Sequence, residues 1–305
     1  MKRRSFVKTI TQTGVLLSTG SWTSELFRRR ESVKITILHT NDVHSRIEPF
    51  PNDGSRKSGL GGTARRATLI EQVRAEEEHV LLLDAGDIFQ GTPYFNFYGG
   101  ELEFKLMSEM RYDAATIGNH DFDAGIEGLY NQLPNAEFPL LITNYDFKDT
   151  IMHSSTKPYE IFERGGVRIG VLGVGIELDG LVPSNLFGAT QYLDPVKNVN
   201  KYAAILRHDE KCDYVICLSH LGYRYNNEDR PSDYILAEHS EDIDLIIGGH
   251  THTFLDKPDM LKNRVGEPVI VNQVGWGGMY LGRIDVYFER SKRKKCASCE
   301  NLAIS

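Results

Sequence analysis

Asn119, His120 and Asp123 lie within the single stretch Asp113-Ala-Ala-Thr-Ile-Gly-Asn-His-Asp-Phe-Asp123. The asparagine offers a neutral oxygen to a cation, the histidine a titratable imidazole, and the aspartate a carboxylate at a spacing that can orient that imidazole. Asp42 with His44, Asp87, His220, and His250 with His252 repeat the theme elsewhere in the chain. Carboxylate, amide oxygen and imidazole suit borderline and harder divalent ions, among them zinc, manganese, iron and cobalt. The set is large enough for two ions. A carboxylate shared between two ions would let the pair clamp a phosphoryl group and activate water.

Each of these residues follows an apolar run that reads as a buried strand. Val33 to Leu38 alternates and is β-branched, and it ends in His39-Thr-Asn-Asp-Val-His44. Val80 to Leu83 ends in Asp84-Ala-Gly-Asp87, Ala114 to Ile117 breaks at Gly118, Tyr214 to Leu218 leads into Ser219-His220, and Ile243 to Ile247 leads into Gly248-Gly-His-Thr-His252. Polar groups just past strand ends are where α/β proteins place their chemistry. Taken singly, each is an ordinary turn or surface feature; their recurrence in order is the signal. Helices are expected over Thr63 to Glu78, Leu102 to Met110, about Pro195 to His208, and Asp233 to His239. A short strand is expected over Phe138 to Thr143, a hairpin over Tyr159 to Phe162 and Val167 to Val174, and closing strands over Val269 to Val271 and Met279 to Phe288. Alternating strands and helices argue for an α/β domain, while the hairpin and the closing strands exclude a purely parallel sheet. Two mixed sheets face to face, flanked by helices, satisfy both. No Pro/Gly/Ser-rich linker divides the chain from 33 to 290, so 32–290 reads as one domain, 1–31 as a leader and linker, and 291–305 as a polar tail.

Composition narrows the partners. The 305 residues are 40% hydrophobic, enough to build a core without disulfides, and the net charge of -7 gives the chain no electrostatic footprint for nucleic acid or an anionic membrane. No stretch is apolar for long enough to read as a transmembrane span. The four cysteines do not make a disulfide framework; Cys212 and Cys217 read as buried thiols, and Cys296 and Cys299 form a lone C-x-x-C, a weak signal for zinc or redox chemistry. Met1-Lys-Arg-Arg-Ser-Phe-Val-Lys8, ahead of a modest apolar stretch from Ile10 to Trp22, resembles a twin-arginine export signal without a clean A-x-A cleavage site. That implies an exported or periplasmic protein that folds, metals included, before it leaves the cytoplasm. The basic run Arg290-Ser-Lys-Arg-Lys-Lys295 reads as a solvated segment, with an acidic partner or a membrane surface as the alternative.

The stretches His39-Thr-Asn-Asp-Val-His44, Gly61-Gly-Thr-Ala-Arg65, Asp84-Ala-Gly-Asp-Ile-Phe-Gln-Gly91, Gly118-Asn-His-Asp-Phe-Asp123, Leu218-Ser-His-Leu-Gly222 and Gly248-Gly-His-Thr-His-Thr253 resemble, in wording and order, the calcineurin-like metallophosphoesterases. The likeness is to the catalytic domain of the 5'-nucleotidase branch, and Val271 to Gly282 is similar to that family's closing strands. The resemblance implies a four-layer αββα sandwich and two divalent metal ions. It implies that Asp42, His44, Asp87 and His252 hold one ion, and that Asp87, Asn119, His220 and His250 hold the other, with Asp87 bridging. His120 matches the family's catalytic histidine and Asp123 its orienting partner. The implied reaction is hydrolysis of a nucleotide phosphomonoester by metal-activated water. The alternatives are a 2',3'-cyclic nucleotide phosphodiesterase, a nucleotide-sugar hydrolase, a thiosulfohydrolase-like enzyme, or an inactive metal-binding subunit of a surface complex. This sequence departs from the family at Ser45, where glycine is common. It also ends at Ser305, ahead of the second domain that grips the nucleoside in full-length relatives, so a separate polypeptide is expected to supply that module, or the substrate is a different phosphoester. Arg65 and Arg66 read as a solvated helix start near the first ligand, with a phosphate contact as the alternative, and Phe89, Tyr94, Phe95, Phe97 and Tyr98 as either core or the wall of a base-binding cleft.

Overall fold

The computed structural model describes residues 32–227, 229–289 and 295–305. The export-signal segment lies outside them, as does the basic run after Glu289 apart from the backbone of Lys295. In chain order the elements are β1 (Ser32–Thr40), α1 (Thr63–Glu76), β2 (Val80–Asp84), α2 (Pro93–Tyr98), α3 (Glu101–Glu109), β3 (Ala114–Ala115), α4 (Gly125–Gln132) and β4 (Tyr145–Asp146). They continue with β5 (Tyr159–Arg164), β6 (Val167–Val174), α5 (Ser184–Phe187), β7 (Gln191–Tyr192), α6 (Pro195–Ala204), β8 (Tyr214–Ser219) and α7 (Asp233–His239). The last are β9 (Leu245–Gly248), β10 (Asp259–Lys262), β11 (Pro268–Asn272), β12 (Tyr280–Glu289) and β13 (Lys295–Ala303).

Two mixed sheets form. One has the order β13-β12-β1-β2-β3, with β1, β2 and β3 parallel and β12 antiparallel to both its neighbours. The other has the order β10-β11-β9-β8-β6-β5, parallel from β11 through β6 and antiparallel at both edges. Strand periodicity sends alternate residues to opposite faces, and here both faces of the central strands are covered, so their sequences read as unbroken apolar runs. Ile35, Ile37, Leu81 and Leu83 of the first sheet meet Ile216, Leu218, Leu245 and Ile247 of the second in the middle layer. Leu38 and Leu82 face outward onto Ile70, Val73, Phe104 and Met107 of α1 and α3. On the far side Val215, Cys217 and Ile246 meet Val199, Ala203 and Leu236 of α6 and α7. The order of layers is helix, sheet, sheet, helix, the αββα sandwich expected. Each fully buried Leu or Ile contributes roughly 1.5–3 kcal/mol of transfer free energy to that packing.

The differences from the expected elements have local causes. Phe138 to Thr143 makes only isolated bridges, from Leu140 to Ala115 and from Leu141 to Lys157. Pro139 has no amide hydrogen, so it accepts from Ala115 without donating back and no ladder propagates. α6 stops at Ala204 and widens into a π-helical turn over Ile205–Asp209. The polar tail is a correction: Lys295–Ala303 pairs along β12 as the edge strand of the first sheet, and Ile304 is buried. Alternating small and polar residues hid that strand. Cys299 stands opposite Ile284, half-buried against the middle layer, and burial lifts its thiol to about 11; it is a packed thiol. Among the described residues no helix is long and apolar enough to cross a membrane.

Candidate metal centre and active site

The carboxyl ends of β1, β2, β3, β8 and β9 point to one edge of the sandwich, and the loops that leave them carry every residue singled out for chemistry. Those loops are laced together through the backbone. The amide of Asp42 donates to the carbonyl of Gly86 at 2.9 Å, that of His44 to Asp87 at 3.1 Å, and that of Gly277 to Asp42 at 2.7 Å. Turning so sharply forces unusual conformations. Asp42, His44, Asp87, His250 and His252 have φ of 50°, 53°, 55°, 73° and 53°, in the left-handed region that costs a residue with a Cβ about 1–2 kcal/mol. At Gly86, φ is 86°, and a Cβ would lie 2.7 Å from the amide nitrogen of Gly118 and 3.0 Å from Nδ1 of His220, so only glycine fits.

The predicted ligands converge into two groups that share Asp87. Asp42, His44, Asp87 and His252 bring their ligand atoms within 4.8 Å of one another, and so do Asp87, His220 and His250. In the first group the Nε2 atoms of His44 and His252 face each other at 2.9 Å, with Asp42 Oδ1 3.3 Å from His252 and Asp87 Oδ2 3.8 Å from His44. In the second, Asp87 Oδ2 is 3.1 Å from His220 Nε2, and Asn119 Oδ1 is 2.8 Å from His250 Nδ1.

Tautomers decide what this cluster can hold. His220 donates from Nδ1 to the carbonyl of Ala85 at 2.7 Å, and His44 Nδ1 lies 3.3 Å from that of Phe89. Backbone carbonyls therefore take the Nδ1 protons, and the Nε2 lone pairs turn into the cluster. His220 is fully buried, yet its Nε2 forms no hydrogen bond: it is close to Asp87 but not aligned for one. Two neighbours of one cation have this geometry, and a buried, unpartnered nitrogen beside a carboxylate is otherwise costly. Without a cation, burial opposes charge on His220, but the Asp87 carboxylate outweighs it and lifts the imidazole to about 10. A divalent ion would take the place of that proton. Burial, then the neighbouring His220, pushes His250 down to about 4, the neutral form a ligand requires. The donor set and its burial fit two divalent ions.

His120 stands at the rim. Its side chain is 41% exposed, its amide donates to Asp87 Oδ1 at 2.8 Å, and Nδ1 is 2.9 Å from Asp123 Oδ2. The hydrogen bond to Asp123 raises its pKa against the opposing effect of burial. The ring is open to solvent and oriented from behind, as proton transfer to a bound molecule requires.

Sequence reasoning missed the residues that hold the loops. Asp121 is buried in the middle of the opening stretch and accepts four amides: Asp87 at 3.1 Å and Gly118 at 2.7 Å on Oδ2, Ile88 at 2.9 Å and Phe89 at 3.1 Å on Oδ1. Burial, then the neighbouring Asp87, pushes its pKa up to about 7 against the pull of those donors. Asn41 donates to Asp42 Oδ2 at 2.6 Å and to the Gly275 carbonyl at 2.7 Å, and Gln273 joins the Gly249 carbonyl to the Thr253 amide, both at 2.7 Å. Their only signal was an amide beside a ligand motif. Arg65 reaches back to the carbonyl of Gly59, and Arg66 is buried beneath the loops. Of the aromatic run, Phe89 and Phe95 pack in the core with Phe104, while Phe97 is 83% exposed.

The model of the calcineurin-like phosphoesterases matches residues 35–254, the span that carries every ligand named above. The chain belongs to that family. It is 36% identical over 278 residues to the snake venom 5'-nucleotidase of Crotalus adamanteus, covering 85% of this chain and 46% of that protein. Against the 5'-nucleotidase of Vibrio cholerae it is 32% identical, covering 96% of this chain and 56% of the other. Among solved structures, a 5'-nucleotidase precursor from Thermus thermophilus superposes with a TM-score of 0.78 at 32% identity, over 89% of this chain and 54% of that one. The chain thus spans about half the length of the curated relatives it matches.

Proposed function

We propose that this phosphoesterase removes the phosphate of nucleoside monophosphates at a centre of two divalent ions, one held by Asp42, His44, Asp87 and His252 and the other by Asp87, Asn119, His220 and His250. The observation that carries the proposal is the buried, unpartnered Nε2 of His220 facing Asp87, with the solvent-open, Asp123-held imidazole of His120 beside the same carboxylate. When bound, the ions supply Lewis-acid charge to phosphoryl oxygens and lower the pKa of water. Asp87 holds both groups of ligands in register and, by accepting the His120 amide, fixes the rim to the centre. His120 stabilises charge on the phosphoryl group or delivers a proton to the leaving oxygen from Nε2, while Asp123 keeps its proton at Nδ1. No covalent intermediate is needed. The relatives that carry the name 5'-nucleotidase support the nucleotide as substrate, and no feature of the described residues calls for a separate polypeptide.

The test is hydrolysis by the purified chain loaded with manganese or, separately, zinc, against nucleoside monophosphates, a nucleotide sugar, a 2',3'-cyclic nucleotide and bis-p-nitrophenyl phosphate. Phosphate release from the monophosphates is expected to dominate; reaction of the generic diester alone would remove the nucleotide from the proposal. Export belongs to the same reading. It rests on Arg3 and Arg4, and changing both to lysine is expected to keep the chain in the cytoplasm.

A further inference from the structure

The loop that leaves β8 with His220 folds back against the centre further along. The Tyr225 hydroxyl donates to the carbonyl of Leu221 at 2.7 Å. A Cβ on Gly222 would lie 2.2 Å from that hydroxyl and 2.8 Å from Cγ2 of Thr251, so the phenol and the residue between His250 and His252 press together at this glycine. The Tyr223 amide adds a hydrogen bond to Thr251 Oγ1 at 2.9 Å. Over the Tyr225 ring, at 4.0 Å from its centroid, stands the guanidinium of Arg230. A turn fixes the approach of that residue, its amide donating to the Asn227 carbonyl at 3.2 Å. A cation–π contact positions a cation without cancelling its charge. Arg230 is exposed, and among the described residues no carboxylate lies within ion-pair distance of it. Its charge is felt inside the site. Burial first and His220 next hold the His250 imidazole down, and Arg230 adds to them against the opposing pull of Asp87 and Asp42. It also opposes the rise that burial, Glu177 and Asp194 impose on the Tyr192 hydroxyl of β7. A field that disfavours a proton on His250 favours an anion at the same place, and a dianion gains twice what a monoanion does. An anion is otherwise repelled by a chain of net charge -7, so one uncompensated arginine at this rim weighs more than it would on a basic surface.

We propose that Arg230, carried on the ring of Tyr225, is a specificity-determining residue that favours dianionic phosphomonoesters over monoanionic diesters on the His220–His250 side of the centre. The discrimination is by charge and asks nothing of the leaving group. This rests on the phosphoester-hydrolase reading and deepens it, because the same centre would otherwise treat the two ester classes more evenly.

The experiment uses the full chain, loaded with zinc and freed of the excess, beside its Arg230→Gln variant. At about pH 8 inorganic phosphate is mostly a dianion and dimethyl phosphate a monoanion, and the affinity for each is read by calorimetry at low and at physiological salt. R230Q is expected to bind phosphate about tenfold more weakly and dimethyl phosphate about threefold more weakly. It is also expected to lose phosphate affinity less steeply with salt than wild type does, and to keep its zinc. The charge-conserving R230K keeps the preference for the dianion. An unchanged preference in R230Q, or equal losses for the two ligands, overturns the assignment. Loss of zinc, or a weakened affinity with the salt dependence intact, overturns it as well, because either makes Arg230 a structural residue. Hydrolysis of monophosphates by a chain whose dianion preference ignores R230Q leaves the function standing and removes Arg230 from it. A preference that depends on Arg230 in a chain that cleaves no phosphoester does the reverse.

Discussion

Asp121 lends itself to a sharp test of how the centre is held, because it touches no predicted ligand atom and yet binds the backbone on both sides of the bridging residue. Its Oδ2 accepts the Asp87 and Gly118 amides and its Oδ1 those of Ile88 and Phe89. Asp121→Asn keeps the shape and replaces one oxygen by an amino group. Whichever way the amide turns, one pair of buried N–H groups then faces a donor. A buried donor without a partner costs roughly 1–3 kcal/mol, so two cost roughly 2–6 kcal/mol. For a chain of this size that lowers the unfolding midpoint by roughly 3–9 °C. Calorimetry on chelator-treated protein isolates this loss from any contribution of bound metal. Mass spectrometry of the metal-reconstituted variant then reads the second consequence, because a loosened Asp87 amide loosens the carboxylate between the two groups, and zinc content is expected to fall well below wild type. A variant that unfolds within about a degree of wild type and takes up the full complement of metal would refute the claim that this carboxylate braces the centre.

His120→Asn is expected to reduce phosphate release by roughly 10²–10⁴-fold, with metal content unchanged; loss of metal in parallel would make His120 a structural residue. Gly118→Ala adds a Cβ only 2.2 Å from Asp87 Oδ1 and 2.5 Å from its amide nitrogen, so this small change is expected to displace the bridging carboxylate and to cost metal as well as activity. Asp233 is buried and desolvation lifts it to about 8; since the folded state then holds a proton the unfolded state has released, stability falls as pH rises from about 4 to 8, by at most about 1.4 kcal/mol per unit. Asp233→Asn should flatten that slope in chelated protein, and an identical pH profile for the variant would show that the carboxyl is not protonated. Ser45 is buried with φ of 50° and its hydroxyl has no hydrogen-bond partner, so Ser45→Gly is expected to raise stability by about 1–2 kcal/mol, measured by denaturant midpoint.

What the sequence discloses depends on whether a residue's role is written in its own type and spacing. Buried parallel strands announce themselves because both faces are covered, so Val80 to Leu83 and Tyr214 to Leu218 read as unbroken apolar runs and their polar ends stand out. Histidines and carboxylates at those ends stand out as candidate ligands for the same reason. Lys295–Ala303 was not legible: as the edge strand its residues are small or polar, and nothing short of its pairing with β12 distinguishes it from a tail. Asp121 was hidden differently. It sits between His120 and Asp123 in the sequence but turns the other way, into the backbone, and a residue's direction around a 3₁₀ turn is set by the turn and not by its neighbours along the chain.

The conformations of the candidate ligands were the least visible feature and bear most on the proposed centre. Asp42, His44, Asp87, His250 and His252 occupy left-handed backbone, at a combined cost of several kcal/mol if each carries about 1. No residue type among them demands it, as glycine would, so composition carries no trace. The compensation is dispersed: amides laced between the loops, Asp121 and Gln273 bonded to the backbone around them, and glycines where a Cβ has no room. These braces hold five separate loops in one arrangement, with the candidate ligand atoms within 4.8 Å of one another in each group. The strain is borne by the four-layer sandwich, whose core is far larger than the site. Loosening any one brace should therefore show first as lost metal affinity and only later as lost fold, which is the order in which the Asp121 and Gly118 variants can be read.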